Sequence, residues 1–175
     1  MRVKPLIAIP LIAIALAGCS AQTHTPQETT AATEQKPLFA TDSEALAAAE
    51  AAYANYLEVS DQIARDGGAN PERLKGLVTP EMYLSEKSTL DSYEKKSIVM
   101  SGKTLFDTGH IQSVTENSVS MYLCLDTSEA GLSAPEGPVN GSSINRWPLI
   151  VTMSVVSSGK LLLADSQTWP GTNFC

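Results

Sequence analysis

The chain has 175 residues, 43% of them apolar, with 12 Lys and Arg against 19 Asp and Glu and a net charge of −7. That length suits a single domain with its own core. The acidic balance speaks against nucleic-acid binding, which draws its affinity from clustered Lys and Arg; Lys95-Lys96 is the only adjacent basic pair.

The chain opens with a basic start, Met1-Arg2-Val3-Lys4, and a compact apolar run from Leu6 to Ala17. Leu16-Ala17-Gly18 then leads directly into Cys19. This order resembles a bacterial lipoprotein signal, in which the cysteine thiol is acylated and the leader is cut off before it. A spanning helix needs roughly 20 apolar residues. The run from Pro5 to Gly18 is shorter, carries Pro10 inside it and continues into polar, threonine-rich sequence without a basic stop. An ordinary secretory signal, with Ala15 and Ala17 as its small residues, is the alternative; a cysteine immediately after Leu-Ala-Gly favours lipidation. The expected location is the cell membrane, lipid-anchored at Cys19 and facing outside the cytoplasm. Loss of Arg2 and Lys4 with the leader takes the net charge from −7 to −9. Attachment to anionic lipid must therefore come from the acyl chain rather than from charge.

With Cys19 committed to lipid, Cys124 and Cys175 remain, and outside the cytoplasm two cysteines are most simply a disulfide. The alternative is two unrelated thiols, one buried and one on a frayed end. Two cysteines and His110 make too small a set for a metal site, so no metal and no cofactor is expected.

Residues 19–40 read as a tether. Ser20, Gln22, Thr23, Thr25, Gln27, Thr29 and Thr30 are too polar to bury a core, and His24 lies among them. A flexible coil of about 20 residues reaches roughly 25 Å. The domain is placed at 41–175. Thr41 with Glu44 has capping-box spacing. Leu46, Ala49, Tyr53, Tyr56, Leu57, Ser60 and Ile63 then draw one apolar helical stripe that ends at Gly67-Gly68. Asn70-Pro71 starts a short helix through Leu77, and Thr79-Pro80 a third towards Ile98, with Tyr83, Leu84, Lys87, Leu90 and Tyr93 as its weaker stripe. Beyond Gly102 the period becomes two. Residues 103–114 form one bent strand or two short ones, and 118–126 alternate most cleanly. Residues 127–145, rich in Gly, Pro, Ser and Asn, read as a long loop. Arg146 to Val156 and Lys160 to Trp169 form a hairpin about Ser157-Ser158-Gly159. The result is an α+β domain, helices first and then a curved antiparallel sheet of about four strands.

This order resembles the nuclear transport factor 2-like cone, and the chain is similar to small actinobacterial lipoproteins that carry such a domain. The residues behind the likeness are Tyr53-Ala54-Asn55-Tyr56-Leu57, Asp66-Gly67-Gly68, Tyr122-Leu123-Cys124-Leu125-Asp126 and the ending Trp169-Pro170-Gly171-Thr172-Asn173-Phe174-Cys175. The resemblance implies helices closing over one face of the sheet. In active members, isomerases and dehydratases, it also implies a carboxylate or His base inside the cone (ketosteroid isomerase is the worked example of the principle cited). The catalytic candidates on this chain are Asp107, His110 and Asp126, with Tyr122 beside them. No motif places an enzyme residue on any of them: a lone histidine is more often a surface or packing residue, and Asp126 suits a turn. No Gly-x-Ser-x-Gly elbow and no phosphate-binding glycine loop occurs.

Two readings follow. One is a lipid-anchored envelope module, more binding protein than enzyme, whose partner is an apolar small ligand or an envelope protein. The other is a small cavity enzyme of isomerase or dehydratase type. A partly buried carboxylate opposite a tyrosine or histidine in a pocket would favour the enzyme; a filled, dry cone with an exposed apolar patch would favour the interaction module. At helical or strand spacing, Tyr53, Tyr56, Tyr83, Tyr93, Trp147 and Trp169 belong to a core before they belong to a pocket.

Overall fold

The structure is a computed structural model describing residues 38–139 and 144–175. The expected signal, Cys19 and the tether up to residue 37 lie outside the described residues. Helix α1 (Asp42–Arg65) begins at Thr41, whose Oγ1 accepts the Glu44 amide at 3.1 Å. The Glu44 carboxylate reaches back to the Ala40 N–H at 2.8 Å, one residue before the cap, so the two side chains satisfy orphan amides reciprocally. At its other end Gly67 and Gly68 take φ of +70° and +89°, and the Gly68 amide donates to the Ile63 carbonyl at 2.8 Å. A Cβ on Gly68 would collide with the Leu90 carbonyl oxygen, so this glycine supplies both the left-handed turn and the close approach of the next helix.

The second helix expected from the sequence is a single 3-10 turn, Pro71–Leu74, not a helix through Leu77. Tertiary pairing overrides local propensity here: Leu77 accepts from the Leu163 amide and Thr79 donates to the Leu163 carbonyl, both at 2.9 Å. Helix α2 (Pro80–Lys96) is capped by the Thr79 hydroxyl, which accepts from the Met82 amide at 3.3 Å. Its buried side is turned from the expected stripe. Leu84 is 68% exposed, while Met82, Glu86, Leu90 and Tyr93 face inward.

Strands β2 (Leu105–Val114), β3 (Ser118–Asp126), β6 (Arg146–Val155) and β7 (Leu161–Thr168) form an antiparallel sheet in the order β2-β3-β6-β7. Residues 103–114 thus give one strand, bulged between Asp107 and His110 and again between Ile111 and Ser113, and such bulges bend and twist a sheet. Register sets the inner face. Val119 lies opposite Met153, Met121 opposite Val151 and Leu123 opposite Leu149, and all six are buried. They pack against Ala45, Ala49, Tyr53 and Ile63 of α1. Small alanines let the helix lie close to the sheet, and each large apolar side chain buried this way contributes about 1.5–3 kcal/mol.

Residues 127–145, expected as loop, contain β4 (Gly131–Ala134) and β5 (Gly137–Pro138), which join β1 (Val99–Ser101) in a second antiparallel sheet, order β1-β4-β5. These strands are two to four residues long and rich in Gly, Ser and Pro. Their strand conformation comes from long-range pairing, Val99 with Ser133 and Ser101 with Gly131, rather than from propensity. The domain is α+β, helices on one face of an antiparallel sheet. Among the described residues no helix is long and apolar enough to cross a membrane.

Candidate functional site

Helices α1 and α2 leave a cavity of about 330 Å³ between themselves and the inner face of the sheet. Met82 and Leu90 of α2 and Leu125 and Leu149 of the sheet give it apolar walls. Its polar groups include Tyr53, Tyr56 and Asp61 from α1, Glu86 and Tyr93 from α2, and Ser166 from β7, with the hydroxyls of Ser60, Thr89, Thr104 and Thr127. A second cavity of about 370 Å³ shares Tyr93, Met100, Thr104 and Thr127 with the first and runs on towards Trp147.

Helical spacing brings the carboxylates inward. Glu86 sits four residues after Met82 and four before Leu90, so it occupies a position on the buried stripe. Burial raises its carboxyl above the usual glutamate range, while the Tyr56 hydroxyl donates to it and favours the charged form. Burial pushes the Tyr53 and Tyr56 phenols far above their ordinary range, and the negative charge of Glu86 adds to this. Hydrogen bonds with Ser166 and Ser60 respectively act in the opposite sense. Tyr93 is raised by burial and then by Glu86. The three phenols are neutral donors at physiological pH, grouped about one half-buried carboxylate.

Asp61 is 7% exposed and fully engaged. Its Oδ2 accepts the Thr104 amide at 2.7 Å and its Oδ1 the Thr104 hydroxyl at 2.9 Å. It ties the C-terminal half of α1 to the residue that leads into β2, and so fixes one wall of the cavity.

Asp107, His110 and Asp126 do not converge there. In β3 the inward residues are Met121, Leu123 and Leu125; Tyr122, Cys124 and Asp126 point to the outer face, and directly opposite residues share a face. Asp107 pairs with Cys124 and His110 with Tyr122, so both stand outside. Arg146, opposite Asp126, forms ion pairs with Asp107 and, at 3.7 Å, with Asp126. The Asp107 carboxyl is held below its usual range by hydrogen bonds from Arg146 and Thr108, and that of Asp126 by hydrogen bonds from Ser128. Both are stabilised as charged groups at the end of the sheet. His110 is exposed on the outer side.

The outer face is also where the C-terminus lies. The structure joins Cys124 and Cys175, with Cα atoms 5.7 Å apart. The Trp169 and Phe174 rings meet the Tyr122 ring edge-on, with centroids at 5.2 and 6.5 Å, and Arg146 Nε donates to the Cys175 carbonyl at 3.3 Å. This tail covers Cys124, which is completely buried although it points away from the helices.

Sequence reasoning passed over Asp61 and Glu86. The signal was present: each is a carboxylate on the buried stripe of an amphipathic helix. The tyrosines read first as core divide by place. Tyr53 and Tyr56 are both core and cavity wall, Tyr93 lines the cavity, and Tyr83 lies under the Lys75 ammonium at 5.3 Å. Among the described residues no group of three or more His, Cys, Asp or Glu is placed to hold a metal ion.

No protein-family model matches this sequence, and no curated protein matches it. Among solved structures, the intermembrane-space region of the chloroplast protein ARC6 aligns over 72% of this chain and 97% of its own, with a TM-score of 0.54 and 13% identity. Two structures from Catenulispora acidiphila, one of them in complex with S-DNPA, align at TM-scores of 0.47 and 0.46, each at 13% identity. They cover 70% and 69% of this chain and 91% and 92% of their own. The chain is therefore similar in fold to the ARC6 intermembrane-space region, a likeness of architecture and not of chemistry.

Proposed function

We propose that this protein is a lipid-anchored, extracytoplasmic binding module that takes a small ligand between α1, α2 and the sheet. The observation that carries the reading is the cavity itself: a half-open space of about 330 Å³ in which apolar side chains such as Met82, Leu90, Leu125 and Leu149 stand beside converging hydroxyls and carboxylates, giving a small molecule both apolar contact and hydrogen-bonding partners. The sequence Leu16-Ala17-Gly18-Cys19 supports the anchor, and a Cys124–Cys175 bond suits an oxidising compartment. The test is chemical-shift mapping of the full chain in detergent against a fragment library. Shifts grouped on Tyr53, Tyr56, Tyr93 and Ser166 are expected; shifts scattered over the outer face, or none, would reject the pocket. For the anchor, Cys19→Ser should abolish acylation and leave the leader uncut, and retained acylation would reject it.

A second reading is favoured by one specific feature, the half-buried Glu86 facing Tyr56. A carboxyl raised by burial beside a neutral phenol is the pairing that proton-transfer sites use, with Glu86 as the base or acid and Tyr56 as the donor to a developing oxyanion. On this reading any acid–base chemistry belongs to Glu86 rather than to Asp107, His110 or Asp126.

A further inference from the structure

The charge balance inside the cavity is one-sided. Among the described residues, Asp61 and Glu86 are its only ionisable groups besides the three phenols, and no Lys, Arg or His lines it. Asp61 already has two donors from Thr104, whereas Glu86 has the Tyr56 hydroxyl and the apolar side chains of Met82 and Leu90 around it. A half-buried carboxylate with so few donors and no cation among its neighbours lacks a counter-charge. Three tyrosines line the same cavity, Tyr53 and Tyr56 stacked on each other with ring centroids 5.8 Å apart, and aromatic rings attract cations. We infer that the ligand of this cavity is a small organic cation, an amine or quaternary ammonium group, held by the Glu86 carboxylate and walled by Tyr53, Tyr56 and Tyr93. The inference rests on the pocket reading and adds to it the sign of the ligand's charge.

Binding a cation would favour ionised Glu86. By linkage, affinity must therefore fall as the pH drops and Glu86 takes up its proton. The groups facing Glu86 are Tyr53, Tyr56 and Asp61 on α1, Tyr93 on α2 and Ser166 on β7; the phenols stay neutral throughout this range.

Three probes of one shape and different charge separate the terms: benzylamine, benzyl alcohol and benzoate. Each is titrated by chemical shift into the full chain, into Glu86→Gln and into Tyr93→Leu. The expected result is that benzylamine binds at least tenfold more tightly than benzyl alcohol, and benzoate more weakly than either. The amine's advantage should vanish in Glu86→Gln, with alcohol binding kept, and shrink several-fold in Tyr93→Leu. Equal binding of amine and alcohol would overturn the cation inference and leave the pocket reading standing. An amine preference that survives Glu86→Gln would overturn it too. No perturbation by any of the three would remove both.

Discussion

Cutting the Cys124–Cys175 bond should cost this domain a large part of its stability. The two cysteines are 51 residues apart in sequence, and in the chain-entropy account a closed loop of that length contributes about 4 kcal/mol by restricting the unfolded chain. Against a typical domain stability of about 5–15 kcal/mol, that is a major share. The other contacts of the tail cannot replace it: Phe174 is 47% exposed, and Arg146 offers the Cys175 carbonyl one hydrogen bond at a half-exposed site. Cys175→Ser is the informative substitution because Cys175 is partly exposed, whereas a serine at fully buried Cys124 would add a desolvated hydroxyl. Urea denaturation of the full chain, with and without reductant, measures the effect. The variant should lose about 4 kcal/mol, or roughly 10–20 °C in Tm, with a larger m-value from its more expanded unfolded state. Reduced wild type should coincide with the variant, and reductant should leave the variant unchanged. A loss below about 1 kcal/mol, or a variant that reductant destabilises further, would refute the reasoning.

Three further outcomes follow from the site. Asp61→Ala should cost about 2–4 kcal/mol in equilibrium unfolding, because it strips two hydrogen bonds and leaves the Thr104 amide without its acceptor; Asp61→Asn should lose less. The carboxyl of Glu86 is raised in the folded state, so folding takes up protons there. Its contribution to stability is full below the unfolded glutamate pKa and is lost as pH rises through the higher folded value. Glu86→Gln should therefore match wild type in acid, exceed it in thermal stability at neutral pH, and flatten that part of the pH profile; a variant less stable at neutral pH would contradict this. His110→Ala, at an exposed site off the cavity, should change stability by less than about 0.5 kcal/mol and leave probe binding unaltered in the same titrations.

The long helices and the four main strands were legible because their signals are local. Thr41 and Thr79 are caps, Gly67-Gly68 is a stop, and Val119, Met121 and Leu123 alternate with polar neighbours. The short elements were not. Residues 131–138 hold no strand pattern and become strands only because Val99–Ser101 is there to pair with them. Leu77 to Thr79 leaves the helical path for the edge of β7, which no window around Pro71 can reveal. The face that Asp107, His110 and Asp126 occupy is likewise non-local: it depends on register across β2, β3 and β6, which residue type does not carry.

By itself the sequence determined the acidic charge and the order of the two long helices and four main strands, because periodicity, capping and composition act over a few residues. Only the tertiary structure decided which carboxylates line a cavity. A helix stripe tells that Asp61 and Glu86 turn towards a partner surface, but not whether that surface fills the space or leaves a cavity. The packing of α1 and α2 on the sheet leaves one, with Glu86 among three tyrosines, while cross-strand register sends Asp107 and Asp126 to Arg146 on the opposite face.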